Sequence, residues 1–152
     1  MGGIPWGDRQ VLSTIEPDDL PRDDLMSLSN APYPSSEQMA QYRASAKRRA
    51  EQRRQQQLTR YHRGRKVAKI AARRLKDEWS ANKVVLFGSM LTPEKVHGRS
   101  DIDLAVWGLP AADYLKALAA LLDIDPDFSI DLIEAEHASP HLLAAIQAGR
   151  EL

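Results

Sequence analysis

The chain has 152 residues, with 21 Lys and Arg balanced by 21 Asp and Glu, a formal net charge of zero, and no cysteine. That length has room for one modest domain with an appendage, and the missing cysteine excludes disulfides and thiolate metal sites, which suits a reducing cytoplasm. No apolar run approaches the roughly 18 residues of a membrane span, so a soluble cytoplasmic protein without membrane association is expected.

The neutral total hides three blocks. Residues 1–41 carry two Arg and seven acids, residues 42–83 fifteen Lys and Arg and three acids, and residues 84–152 four basic and eleven acidic groups, for nets of −5, +12 and −7. A cationic segment between two anionic ones argues for an anionic partner.

Residues 1–36 contain five of the nine prolines, scattered acids and little periodicity. They are expected to be disordered or loosely attached. Met39 stands at the start of the helical stretch and is a candidate translation start, which the intact mass of protein from its native source would decide. From Ser36 to Trp79 Ala, Arg, Gln, Lys and Leu dominate, with no proline and Gly64 as the one interruption, so residues 37–78 read as one long basic helix. At about 1.5 Å per residue such a helix is roughly 60 Å long, more than the width of a small domain.

Its two halves differ. Val67, Ala71, Leu75 and Trp79 recur every four residues with Ile70 beside them, an apolar stripe fit to pack on a sheet. The first half is polar almost all round. Lys47, Arg48, Arg49, Arg53 and Arg54 are suited to solvent, to docking on a protein partner, or to neutralising nucleic-acid phosphates, with Tyr42 and Tyr61 as the only aromatics for stacking. A protein partner is favoured over RNA.

Residues 86–106 read LFGSMLTPEKVHGRSDIDLAV: one apolar run ends in Gly88 and Ser89, and a second carries Asp101 and Asp103. In a strand, positions two apart face the same side. Two carboxylates side by side next to Ile102 and Leu104 repel unless a cation lies between them. A hard divalent cation such as Mg²⁺ takes oxygen ligands of this kind together with substrate phosphates. Gly88 allows close backbone approach to a phosphate, and the Ser89 hydroxyl and nearby amides are donors. A Gly-Ser pair alone is usually a turn and an Asp-x-Asp usually a solvated edge; their conjunction gives a nucleotide triphosphate site. A third acid, Asp131, lies in residues 128–133, a strand with Ile130 and Leu132 on one face and Ser129, Asp131 and Ile133 on the other.

Between these strands, residues 107–110 form a turn and residues 111–122 an amphipathic helix expected to bury Leu115, Leu118, Ala119 and Leu122. Residues 123–127, DIDPD, lack the Gly and distal Glu of an EF-hand and read as a solvated connection. Ser139 and Pro140 form a cap and first position for a helix through Ala148, with Gly149 as its stop. The four histidines show no ligand spacing, and Trp79 and Trp107 read as packing residues. The expected fold is α/β (α+β), a small mixed sheet with helices on one face.

LFGS, then SDIDLAV, then a later IDLI resembles the minimal nucleotidyltransferases of the polymerase-beta superfamily, the MNT proteins often encoded beside a HEPN-domain partner. The resemblance spans residues 79–152, taken as the nucleotidyltransferase domain after a 1–36 segment and the 37–78 helix. It implies that Asp101, Asp103 and Asp131 ligate Mg²⁺, a pair of ions in the family pattern, that Gly88 and Ser89 hold the triphosphate of ATP, and that Asp131 helps activate the attacking hydroxyl. Two departures stand out. Eleven residues separate Ser89 from Asp101 where ten are common, and residues 90–93, Met-Leu-Thr-Pro, replace a small basic turn, leaving Lys95, His97 and Arg99 as the cations of the loop. Twenty-one residues follow Asp131, so the acceptor is expected from outside. The resemblance implies a HEPN ribonuclease toxin as acceptor, silenced by AMP transferred to a tyrosine; the alternatives are an antitoxin that acts by occlusion and a nucleotidyltransferase acting on RNA.

Overall fold

The computed structural model describes residues 33–152. The expectation for residues 1–36 falls almost entirely outside them, as does any cationic or acidic role of residues 1–32. The chain divides into two units, Met1–Ala44 and Ser45–Leu152, and helix α1, Ser36–Trp79, passes from the first into the second.

In the first unit the described residues begin α1 with a reciprocal cap. The Gln38 amide donates to Ser35 Oγ at 3.2 Å and the Ser35 amide donates to Gln38 Oε1 at 2.8 Å, satisfying two backbone donors that a helix start leaves without partners.

The second unit contains a four-stranded sheet in the order β3-β2-β1-β4. Strand β1 is Lys83–Phe87, β2 Ile102–Trp107, β3 Ile130–Glu134 and β4 Arg150–Glu151. β1 pairs antiparallel with β2 and β4, while β2 and β3 are parallel. The parallel pair needs a crossover. Helix α2, Tyr114–Leu122, supplies it, preceded by a 3₁₀ turn at Ala111–Asp113. Helix α3, Pro140–Gln147, follows β3, with Ser139 Oγ accepting from the Leu142 amide as its cap. The expected α/β class and mixed sheet are thus the architecture of the protein.

Alternation along the strands sorts the side chains into two layers. Val84, Leu86, Ile102, Leu104, Val106, Ile130 and Leu132 form one core with Val67, Ala68, Ala71, Ala72 and Leu75 of α1 and Ala117 and Leu121 of α2. Val85, Phe87 and Ala105 on the opposite face meet Ile146 of α3. Helices on one face, as expected, therefore holds for α1 and α2 and is corrected for α3. The reason is that β1 and β2 are apolar at nearly every position, so both their faces need cover.

Two stripes also need correcting. Val67, Ala71 and Leu75 are buried as expected, but Ala68 and Ala72 flank them, and Ile70 is 42% exposed. Alanine lets the helix sit close to the sheet, and the wider Ile is left outside. On α2 the buried positions are Ala117 and Leu121 with Tyr114 and Leu118 packed beside them, whereas Leu115 is 75% and Leu122 46% exposed. Lys116 is the one charged residue of this helix, so hydropathy constrains its buried face only weakly. Polar contacts accompany the choice: Tyr114 donates its hydroxyl to the Leu132 carbonyl at 2.7 Å, and Arg74 Nη1 donates to the Ala120 carbonyl at 3.0 Å.

The 123–127 connection is exposed at Asp123, Pro126 and Asp127, as expected of a solvated loop, and is also tied to α1. Arg63 donates from Nε and Nη2 to the two oxygens of Asp125, both at 2.8 Å, and pairs through Nη1 with Asp127 at 2.7 Å. Among the described residues no helix is long and apolar enough to cross a membrane. Trp79 and Trp107 pack against the two cores, as expected.

Candidate active site

The site is built where β2 and β3 bring carboxylates to the face carrying α3, beside the end of β1. Register sets Phe87, the last residue of β1, opposite Asp103 on β2, and Asp103 opposite Asp131 on β3. Asp131 is therefore Asp103's direct neighbour on the same side of the sheet. Asp101 is exposed and immediately precedes β2.

The three acids form an electrostatic group centred on Asp103. Its carboxyl, half-buried, is pushed up from the ordinary 3.8 to about 6, first by burial, then by the charge of Asp131 and then by that of Asp101. The fold thus places a carboxylate where ionisation is opposed from two sides, a condition relieved by a nearby cation. Among the described residues no three His, Cys, Asp or Glu side chains already converge into a ligand shell. The donor set nonetheless fits a hard cation: three carboxylates, two at matched strand positions, with the outer two exposed.

Gly88 lies against this group. Its φ is +75°, the left-handed region that side chains avoid, and a Cβ there would run into the Asp103 carboxylate. Glycine, which has no side chain, meets both conditions at this position. Gly88 opens a 3₁₀ turn, Gly88–Leu91, which carries Ser89 partly exposed and Met90 buried. Gly88, Asp103 and Asp131 are thus brought together, and Ser89 is the next residue along the turn. Lys95, His97 and Arg99 are all exposed on the following loop, where the Ser100 hydroxyl accepts from the His97 amide at 2.9 Å. The four histidines show no metal-ligand grouping with the acids among the described residues.

Sequence reasoning missed the part played by the middle of α1. Gln57 Nε2 donates to the carbonyls of Glu94 at 3.2 Å and Val96 at 2.8 Å, and the Tyr61 hydroxyl to that of Leu91 at 3.4 Å. Arg60 Nη2 donates to the carbonyls of Ser100 at 3.0 Å and Asp127 at 3.2 Å, with its guanidinium 4.3 Å from the Phe128 ring centre. These contacts span 30 or more positions, and Gly64, a poor helix former in an otherwise strong helix sequence, was the only local sign of them. A cleft of about 820 Å³ separates α1 from the same loop, lined by Arg53, Arg54, Pro93 and His97 among others. It contains none of the three acids.

A comparison with protein families matches residues 69–152 to the family described as Polymerase beta, Nucleotidyltransferase. No curated protein matches the chain. The matched residues take in the end of α1 with Ala71, Ala72 and Leu75, all four strands, the Gly88 turn and the three acids, and they make up more than half of the sequence. The chain belongs to the polymerase-beta nucleotidyltransferase family.

Proposed function

We propose that the protein transfers AMP from ATP to a tyrosine of a HEPN-domain ribonuclease toxin and so acts as its antitoxin. Nucleotidyl transfer follows from the family; the acceptor, the nucleotide and the biological role are our reading. The observation that carries the site assignment is the register of Asp103 with Asp131 beside the left-handed Gly88. Exposure of Asp101 and Asp131 supports an acceptor hydroxyl brought by another macromolecule.

In this reading the Gly88 turn receives the triphosphate through backbone amides and the Ser89 hydroxyl. Asp101, Asp103 and Asp131 would hold Mg²⁺, which would offset phosphate charge and stabilise the displacement. The tyrosyl oxygen bonds to the α-phosphorus as the bond to pyrophosphate breaks, and Asp131 accepts the phenolic proton. Rate enhancement comes mainly from alignment and from charge placed before the reaction begins.

A second reading has a specific observation behind it. Lys47, Arg48, Arg49, Arg53 and Arg54 are all exposed on α1, a surface suited to inhibition by binding alone. Intact-mass spectrometry of the toxin after incubation with this protein, Mg²⁺ and ATP separates the two. An increase equal to one or more AMP groups, absent with Asp101→Ala/Asp103→Ala, is the expected result. A stable inhibitory complex without a mass increase overturns transfer in favour of occlusion.

A further inference from the structure

The matched family region begins at residue 69, yet the turn and loop joining Gly88 to Asp101 are fastened to residues upstream of it. Gln57, Arg60 and Tyr61 lie on successive turns of α1 and donate to carbonyls at positions 91, 94, 96 and 100. Each contact is made to backbone, so it fixes the path of the loop whatever its side chains are. A loop of this length without secondary structure to brace it samples many conformations, at a cost in entropy each time a ligand orders it.

Gly64 completes the arrangement. A Cβ at this position would lie 2.6 Å from Met90 Sδ, 2.8 Å from Met90 Cε and 3.1 Å from the Phe128 ring. Met90 is fully buried and is the second residue after Gly88. The helix backbone at Gly64 is therefore the wall against which the Gly88 turn is seated. Phe128 is two residues before β3, the strand of Asp131, so the same stretch of helix also packs against the lead-in to that strand.

We infer that residues 57–64 of α1 are a positioning element for the triphosphate, holding the Gly88–Leu91 turn and the loop after it in the form that receives phosphate. The inference rests on the nucleotide-transfer reading and adds to it a role for a helix segment outside the family match. None of these residues touches the reacting atoms. Their effect reaches the site through Met90 and through four loop carbonyls.

The test is ATP binding by the full chain in the presence of Mg²⁺, measured by calorimetry, with amide hydrogen exchange of residues 88–100 as a second readout. Gln57→Ala, a substitution at a half-buried surface position, is expected to weaken ATP binding about tenfold and to speed exchange in the loop, with the melting temperature little changed. Gly64→Ala is expected to weaken it similarly, and Met90→Ala in the same chain to restore part of the loss by making room for the added methyl. A Gln57→Ala chain that binds ATP as tightly as wild type, with unchanged exchange, overturns the inference while leaving nucleotide transfer intact. A wild-type chain that binds no triphosphate under these conditions overturns both. Additive losses in the double variant overturn the route through Met90.

Discussion

Asp103 on β2 and Asp131 on β3 are direct register partners in a parallel pair, so two carboxylates face one another across a single strand spacing on one side of the sheet. Such a pair opposes folding unless a cation or a proton relieves it, and the same opposition prepares the site for its ligand.

Asp103→Asn is expected to reduce nucleotidyl transfer on the order of a hundredfold or more, by removing one ligand and one charge from the site. Asp101→Asn has the same direction. Both are measured as AMP incorporation by intact mass, and a variant with wild-type incorporation refutes the assignment of its residue.

The same Asp103→Asn change is expected to stabilise the metal-free protein near neutral pH. The folded carboxyl titrates at about 6, above its ordinary 3.8, so the fold favours its protonated form. That stability is fully present below about pH 4 and is lost as pH rises through about 6. Melting in chelator should therefore show the variant above wild type at about pH 7.5, by about 1 kcal/mol, less than the full shift implies because the group is partly solvent-facing. The difference should close at about pH 4, where both side chains are neutral. A gap independent of pH refutes the account.

Gly88→Ala is expected to cost about 1–2 kcal/mol from its left-handed backbone alone. It also drives a methyl into the Asp103 carboxylate, so ATP binding should fall further than thermal stability does. Equal losses in a melt and a binding titration would indicate a general structural defect.

Ser139→Ala removes the hydroxyl that caps α3 and is expected to cost about 1 kcal/mol. Because α3 covers Val85, Phe87 and Ala105 with Ile146, the loss should appear as a lower melting temperature with nucleotide affinity retained. Thermal unfolding monitored by circular dichroism checks it, and Ser139→Asp should recover most of the difference by capping in the same way.

Legibility in the sequence followed the range of the interactions. The α1 boundaries and the Ser139 cap with Pro140 after it are governed by neighbours within a few residues, and the structure has them where spacing put them, whereas β2 starts one residue after Asp101 and β3 is Ile130–Glu134 instead of 128–133. Asp131 as Asp103's partner was readable as a shared residue type, and the strand order supplied the adjacency. Two-residue β4 was beyond reach, since a pair of residues has no period. The face of α2 was misread because Leu115 and Ala117 are both apolar, and hydrogen bonds from Tyr114 and Arg74 to distant carbonyls accompany the other choice. The contacts of Gln57, Arg60 and Tyr61 escaped for a related reason: their acceptors are backbone carbonyls, which carry no residue identity to recognise.

The parallel pairing of β2 with β3 has a consequence for the order of assembly. β1 and β2 pair antiparallel and bring Gly88 against Asp103 within one stretch of chain, whereas Asp131 arrives only when the α2 crossover has closed. Pairing over a long connection pays its loop-closure entropy before any contact returns it, and is slow for that reason. Closure of the α2 crossover is therefore the step that completes the group of three acids.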